Sequence, residues 1–259
     1  MKTTKKRRCR TRRKLTKSIR RGSKSAKKIN RTLHQVYGMF DDGVPYTNIP
    51  VFKENVEKTI KFCKKHNIKY KMWNLNQATA LVKKHYPEYE SLWNKLKKPN
   101  PIMRADFIRY CILHHVGGIY IDCDIHPIDG SEKEFKKLFD EPYFFVRWHN
   151  DKRKLPYNAI LGGQPRHSKY NNMFQKIMEE CKRSHKEKST KTIYKKWKGR
   201  FIFHVTGHYM LKRVMNKEKV SLSYIKDILR INTKHDGIVQ GNNPIFEDSN
   251  ASTWYSGKR

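Results

Sequence analysis

Acidic residues are scarce in this chain. Asp and Glu number 23 against 58 Lys and Arg, for a formal net charge of +35. Such a balance favours anionic partners. Residues 1–28 hold no acid at all and fifteen Lys or Arg, which leaves +20 for the remainder. That opening has almost nothing to bury and its charges repel one another, so it reads as a disordered basic arm, 1–28, ahead of one folded domain, 29–259. The arm suits a solvated tail, a nucleic-acid-binding or nuclear segment, or attachment to an anionic membrane. It lacks the apolar centre of a signal peptide, and no segment approaches the ~18 apolar residues of a membrane span.

Cysteine is also sparse. Cys9, Cys63, Cys111, Cys123 and Cys181 are an odd number, widely spaced and without a CxxC pair. They indicate reduced thiols in a cytoplasmic setting rather than a disulfide framework. Two sequons, Asn30-Arg31-Thr32 and Asn250-Ala251-Ser252, are short enough to arise by chance. Internal repeats, a phosphate-cradling glycine loop and standard nucleic-acid motifs are all missing, which counts against phosphoryl transfer and against sequence-specific nucleic-acid recognition.

One absence is local. Residues 101–130, PIMRADFIRYCILHHVGGIYIDCDIHPIDG, contain no lysine but hold four aspartates. A long, mobile ammonium near paired carboxylates would compete with a cation for them, so the gap fits a cation site.

Around this block the patterning gives an α/β order. INRTLHQVYG alternates as a first strand, and VFKENVEKTIKFCKKHN places Val51, Phe52, Val56, Ile60 and Cys63 at helical spacing. IKYKMWNL alternates as a second strand, and two short helices follow, broken near Pro87. Pro101 opens a mostly apolar, buried helix that Gly117-Gly118 stops, and IYID is a short third strand. Strand, helix, strand, helix, strand predicts a mostly parallel sheet flanked by helices.

Ligands of open α/β sheets gather at the carboxyl ends of the strands, where IYID delivers Asp122 and Asp124. Residues i and i+2 of a strand share a side, so both carboxylates can converge on one Mg²⁺ or Mn²⁺ that bridges to a nucleotide diphosphate. Asp106 and Arg109, three apart on the apolar helix, share a face and need partners. They read either as a structural ion pair or as a hydrogen-bonding pair beside the metal. His114 and His115 read as packing or surface residues, and Cys123 as a small packed residue. His126 reads as a packed residue rather than a ligand, despite following the acidic pair. The tract KRSHKEKSTKTIYKKWKGR reads as a solvated basic surface.

The stretch RADFIRYCILHHVGGIYIDCDIHP closely resembles the signature of the DxD-containing, sugar-binding glycosyltransferases. The family pattern is carried by Asp106, Arg109, Tyr110, Gly117, Gly118, Tyr120, Asp122 and Asp124. LHQVYG is similar to the family's opening strand, with Tyr37 where tryptophan is usual. YNAILGGQPRH matches through Asn158 and His167, VTGHYML resembles a T-G-P stretch with His208 for proline, and DSNASTWY matches through Ser252 and Trp254. The histidine usual near that end is replaced, with Asp248 standing in.

The resemblance spans residues 30–255 and implies a GT-A fold for the domain 29–259. It also implies metal-dependent sugar transfer from a UDP- or GDP-sugar to a glycan, glycoprotein or glycolipid, with retention and either hexosyl or N-acetylhexosaminyl transfer. By position, Asp124 would bind the metal, with Asp248 and Ser252 as further ligands. Asp122 would reach the sugar, the ribose or the metal. Asp106, Arg109 and Tyr120 would hold the donor, and Gln35, Val36 and Tyr37 would line the base pocket. Ser252 and Trp254 would close over the diphosphate, and Asn158 would sit beside the reacting sugar. The composition suits a cytoplasmic, viral-factory or virion-associated enzyme rather than one of the Golgi lumen. The competing reading is a basic nucleic-acid-binding or packaging protein on a degenerate glycosyltransferase fold.

Overall fold

The computed structural model describes residues 29–98, 100–148, 155–165, 172–188, 200–233, 237–241 and 243–249. The basic arm, most of the tract 182–200, His167, Asn250, Ser252 and Trp254 lie outside these residues.

The first strand, β1, is Thr32–Val36, and β2 is Lys69–Trp73. They pair in parallel, Thr32 opposite Lys69 through Val36 opposite Trp73. Helix α1, Pro50–Lys65, connects them, with Pro50 in the first turn where no amide hydrogen bond is lost. Its buried residues are Asn55, Val56, Thr59, Phe62 and Cys63, whereas Ile60 is 39% exposed. The apolar stripe expected from the sequence therefore holds at Val56 and Cys63 and fails at Ile60. Asn55 and Thr59 take the inner face instead because their polar atoms are satisfied there: Asn55 Nδ2 donates to Val51 O at 2.6 Å and Thr59 Oγ1 to Asn55 O at 2.8 Å.

Helix α2, Leu75–His85, starts in a capping box formed by Asn74 and Gln77. The expected break at Pro87 separates it from α3, Glu90–Lys95. Helix α4, Ile102–His115, is buried from Met103 to Leu113 except at Arg104. Gly117 and Gly118 end it with φ of +73° and +110°. A Cβ on Gly117 would lie 2.7 Å from Pro165, and one on Gly118 2.6 Å from Thr32 O, so conformation and close approach both demand glycine.

The chain then enters β3, Gly118–Ile121. After helix α5, Glu132–Leu138, come β5, Tyr143–Arg147, and β6, Pro156–Gly163, with β4, Ile125–Pro127, lying before α5. With the two-residue β7, Ile225–Lys226, the main sheet has the order β2-β1-β3-β6-β5-β7. β1 is parallel to β2 and β3, β6 is antiparallel to both β3 and β5, and β7 is parallel to β5. Five strands thus point one way and β6 alone is reversed, in agreement with the expected mostly parallel sheet. β2 forms one edge, with Lys69 and Lys71 exposed and the Lys71 ammonium 3.5 Å from the centre of the Trp73 ring.

Alternate residues of each strand enter opposite cores. Val36, Tyr120 and Leu161 join the core beneath α2, α4, α6 (Asn172–Lys188), α7 (Arg200–Val205) and α8 (His208–Lys217). Leu33, Ile119 and Ile121 join the other, beneath α1 and α5. A second sheet that the sequence patterning did not reveal has the order β4-β10-β8-β9. Its further strands are β8 Leu229–Thr233, β9 Gly237–Gln240 and β10 Phe246–Asp248. Among the described residues, no helix is long and apolar enough to cross a membrane.

Candidate active site

The carboxyl ends of β1, β3 and β5 lie on one edge of the main sheet, and the reversed β6 begins there. Along that edge stand Tyr37 after β1, Asp122 after β3, Tyr157 and Asn158 on β6, and Trp148 after β5. All of them line a cleft of about 200 Å³.

The cleft floor comes from α4. Arg109 and Asp106 are 2% and 4% exposed. Arg109 Nη2 lies 2.9 Å from Asp106 Oδ1 and 3.3 Å from Asp122 Oδ1, so one guanidinium bridges helix and strand end. Its Nε donates to Ala105 O at 3.1 Å and its Nη1 to Asn158 O at 2.6 Å, and its centre lies 4.7 Å from the middle of the Tyr120 ring. Asp106 also accepts from Asn158 Nδ2 at 2.9 Å and from Thr206 Oγ1 at 2.8 Å. Asp122 accepts from the Tyr120 hydroxyl at 2.5 Å.

Burial pushes the Asp106 carboxyl up to about 6, while the Arg109 charge and the hydrogen bonds from Thr206 and Asn158 pull it back. Burial works against the Arg109 charge as well, but Asp122, Tyr120 and Asp106 more than offset it and hold the guanidinium above its ordinary value. The two readings of Asp106 and Arg109 are therefore not exclusive: the pair is a buried ion pair and it faces the cleft.

A second group lies on the side of the small sheet. β10 pairs antiparallel with β4, setting Asp248 opposite Ile125, and Ser249 N donates to Asp124 O at 3.0 Å. The Tyr157 hydroxyl donates to Asp248 Oδ2. Burial raises the Tyr157 hydroxyl well above its usual range, and the Asp248 and Asp124 charges add to this. Asp248, proposed from sequence as the stand-in ligand, thus comes within electrostatic reach of the same hydroxyl as Asp124. Asp124 stands in the turn between β3, which ends at Ile121, and β4, which starts at Ile125, so it does not share a strand with Asp122 as the sequence pattern predicts. Carboxylate oxygens are the donors that Mg²⁺ or Mn²⁺ takes, and Asp124 and Asp248 are the residues that would hold such an ion. Among the described residues, no group of three or more His, Cys, Asp or Glu side chains could hold a metal ion.

Of the three residues expected at a base pocket, Val36 and Tyr37 line the cleft. Tyr37 stands edge-on to Tyr46 and Phe52, with ring centres 5.8 and 5.9 Å away. Gln35 is a correction. It is fully buried, donates to Asp122 O at 3.1 Å and accepts from the Tyr70 hydroxyl at 2.8 Å. Strand parity turns Gln35 away from the side taken by Val36, so it ties β1 to the Asp122 turn from below.

The discounted residues behave as packing groups. Cys123 lines the cleft, but its thiol reaches Val36 O at 3.4 Å and burial raises it well above the usual thiol range. His126 Nδ1 meets Asn55 Oδ1 at 2.5 Å, His114 Nδ1 meets the Tyr86 hydroxyl at 2.7 Å, and His115 lies 3.9 Å from the His85 ring. Beneath the edge, His34 accepts from Trp73 Nε1 at 3.2 Å and meets Gly117 O at 2.9 Å. Burial lowers its pKa to about 4, so the imidazole is neutral at pH 7.

Among the cleft residues without a role in the sequence reading are Tyr157, Trp148 and Phe203, and His208 entered it only as a substitute for proline. Thr206, which anchors Asp106, also went unassigned. Thr206 and His208 stand in VTGHYML and Tyr157 precedes Asn158, so the quoted segments held a signal for three of the five.

Residues 53–145 match the family model described as a glycosyltransferase sugar-binding region containing a DXD motif. The chain is 30% identical to the mannosyl phosphorylinositol ceramide synthase CSH1 of Saccharomyces cerevisiae, over 73% of this chain and 45% of that protein. It is 33% identical to the synthase SUR1 of the same yeast, over 54% of this chain and 32% of that one. The uncharacterized glycosyltransferase L373 of Acanthamoeba polyphaga mimivirus is 25% identical over 58% of this chain and 55% of its own length. The chain therefore spans less than half the length of either yeast relative. Among solved structures it is similar to the PaToxG glycosyltransferase, at 13% identity and TM-score 0.49, over 74% of this chain and 70% of that one.

Proposed function

We propose, from the match of residues 53–145 to a glycosyltransferase sugar-binding region containing a DXD motif, that this protein transfers a sugar from a nucleotide diphosphate donor to a glycan, glycoprotein or glycolipid. The observation that carries this reading is Arg109 set between Asp106 and Asp122 on the floor of a cleft at the carboxyl edge of the sheet. Carboxylates accept from sugar hydroxyls and a guanidinium donates to them, and both are held rigid by buried partners. The names of the yeast relatives favour a mannosyl, hence hexosyl, group over an N-acetylhexosaminyl one.

In this reading the donor's base packs near Val36, Tyr37 and Phe52. Its sugar lies over Asp106, Arg109 and Asn158; Ser252 and Trp254, which the resemblance assigns to the diphosphate, lie outside the described residues. Asp124 and Asp248 would hold Mn²⁺ or Mg²⁺, and Asp122 would serve either the ion or the donor. The ion, when bound, offsets negative charge that gathers on the departing diphosphate. Arg109 and Asn158 orient the sugar, and the apolar walls exclude water that would otherwise intercept it.

Transfer proceeds with retention. The bond from the anomeric carbon to phosphate oxygen breaks, the acceptor oxygen bonds to that carbon on the same face, and the acceptor proton passes to the leaving phosphate. No side chain of the cleft floor is required as nucleophile.

Thermal unfolding in the presence of UDP- and GDP-sugars, each with and without Mn²⁺, tests the reading. A donor at a hundred times its dissociation constant should add about 2.7 kcal/mol. The expected shift requires both one nucleotide sugar and Mn²⁺, and it is lost in Asp124→Asn. A folded protein that answers to no donor would overturn the proposal and move the basic nucleic-acid-binding reading to the front.

A further inference from the structure

The cleft has two aromatic ends. At the β1 end, Tyr37 packs edge-on against Phe52. At the β5 end, Trp148 stands nearly perpendicular to Tyr157, ring centres 4.8 Å apart at 76°, and to His208, 5.8 Å at 75°. His208 is stacked on Phe203 at 4.5 Å and 29°. The sheet order β1-β3-β6-β5 separates Tyr37 from Trp148 by three strand spacings, roughly 14 Å. Asp122 and Asn158 lie between them. The Trp148 end is also held firmly. Trp148 N donates to Leu155 O at 3.1 Å, continuing the pairing of β5 with β6, and His208 is the first residue of α8.

Resting on the glycosyltransferase reading, a donor stretched from Tyr37 to Asn158 leaves the Trp148 end as the next position along the edge. We propose that Trp148, His208 and Phe203 form the acceptor subsite, and that the acceptor presents a ring polyol, a pyranose or a cyclitol, to this wall. A sugar ring carries polarised C–H groups on one face and hydroxyls around its rim. The electron-rich face of an aromatic ring attracts those C–H groups, and the imidazole of His208 can exchange hydrogen bonds with the rim. A linear alkyl chain would match the rings but not the imidazole or the adjacent Tyr157 hydroxyl. The surface therefore selects a ring whose hydroxyl reaches the anomeric carbon over Asn158.

The test uses the full chain with UDP or GDP and Mn²⁺, and saturation-transfer NMR with methyl α-D-mannopyranoside, myo-inositol and 1-hexanol as probes. At least one cyclic probe should receive saturation at its ring C–H protons, more strongly than 1-hexanol. Trp148→Ala should weaken that probe about ten-fold, as loss of an aromatic contact predicts. Trp148→Phe should recover most of the binding. His208→Pro removes the imidazole while keeping the helix start, because proline is accepted at the first position of a helix, and it should also weaken the probe.

Nucleotide-induced thermal stabilisation is followed in every variant. If it persists while neither cyclic probe binds wild type, or while Trp148→Ala and His208→Pro bind the probe as wild type does, the subsite is wrong and the enzyme reading stands. Preference for 1-hexanol would overturn the ring polyol in favour of an aliphatic acceptor. If no nucleotide stabilises wild type, the enzyme reading falls and the subsite with it.

Discussion

Two groups of carboxylates lie toward one edge of the main sheet, and their partners differ. Asp106, Asp122 and Asp124 line the cleft, and Asp248 is buried behind Tyr157. Asp106 and Asp122 share the Arg109 guanidinium, with Asn158, Thr206 and Tyr120 as additional donors. Asp248, on the side of Asp124, is met by the neutral hydroxyl of Tyr157. The first group is built into the fold, because a buried guanidinium and its carboxylates become costly once either partner is removed. The second holds Asp124 and Asp248, the residues to which the proposed reading assigns the ion. Substitution in the first group should therefore register in stability, and substitution in the second in ligand binding.

The sharpest way to break this contrast is Arg109→Ala. It leaves Asp106 buried without its cation and should cost about 3–5 kcal/mol in urea unfolding. A cost below 1 kcal/mol would show that the floor is not an integral part of the fold.

Next in size is a pH effect from His34, which supports the turn between α4 and β3. Its folded pKa of about 4 lies below the ordinary 6.5. The unfolded chain therefore binds more protons between these values, and stability falls as pH drops through that window. The depression amounts to about 3 kcal/mol, and a His34→Gln variant should lose that part of the pH dependence when unfolding midpoints are compared from pH 4 to 7.

Tyr157→Phe should cost about 1 kcal/mol of stability for a lost hydrogen bond. It should also weaken Mn²⁺ binding about ten-fold, measured by paramagnetic titration, because Asp248 loses the donor that orients it. Asp124→Asn should have the smallest effect on unfolding, within about 0.5 kcal/mol, while Mn²⁺ binding disappears. If Asp124→Asn destabilised the protein as much as Arg109→Ala, the division of labour between the two groups would be gone.

How much of this could be read in the sequence depended on distance along the chain. Asp106, Arg109, Asp122 and Asp124 lie within one helix–turn–strand unit, so spacing alone brought them together. The Gly117-Gly118 stop was equally local. Asn158 and Tyr157 reach the floor only because β6 inserts, reversed, between β3 and β5, a pairing that no local period announces. Asp248 arrives through a second sheet in which β4 and β10 are far apart in sequence. Gln35 was misplaced for a subtler reason. Its strand was evident, but which face of β1 looks into the cleft depends on the helices packed above it. Ile60 illustrates the same limit from the surface, since the buried polar pair Asn55 and Thr59 outweighed its apolar character.

Among the described residues β2 is an edge of the main sheet, and this has a consequence beyond charge. An unpaired strand edge invites another chain to add itself, and lysines held outward along it make that addition unfavourable. Lys69 and Lys71 stand exposed on that strand, so part of the basicity that suggests anionic partners is also placed to oppose such addition. Replacing both by threonine should leave donor recognition unchanged and bring on concentration-dependent self-association.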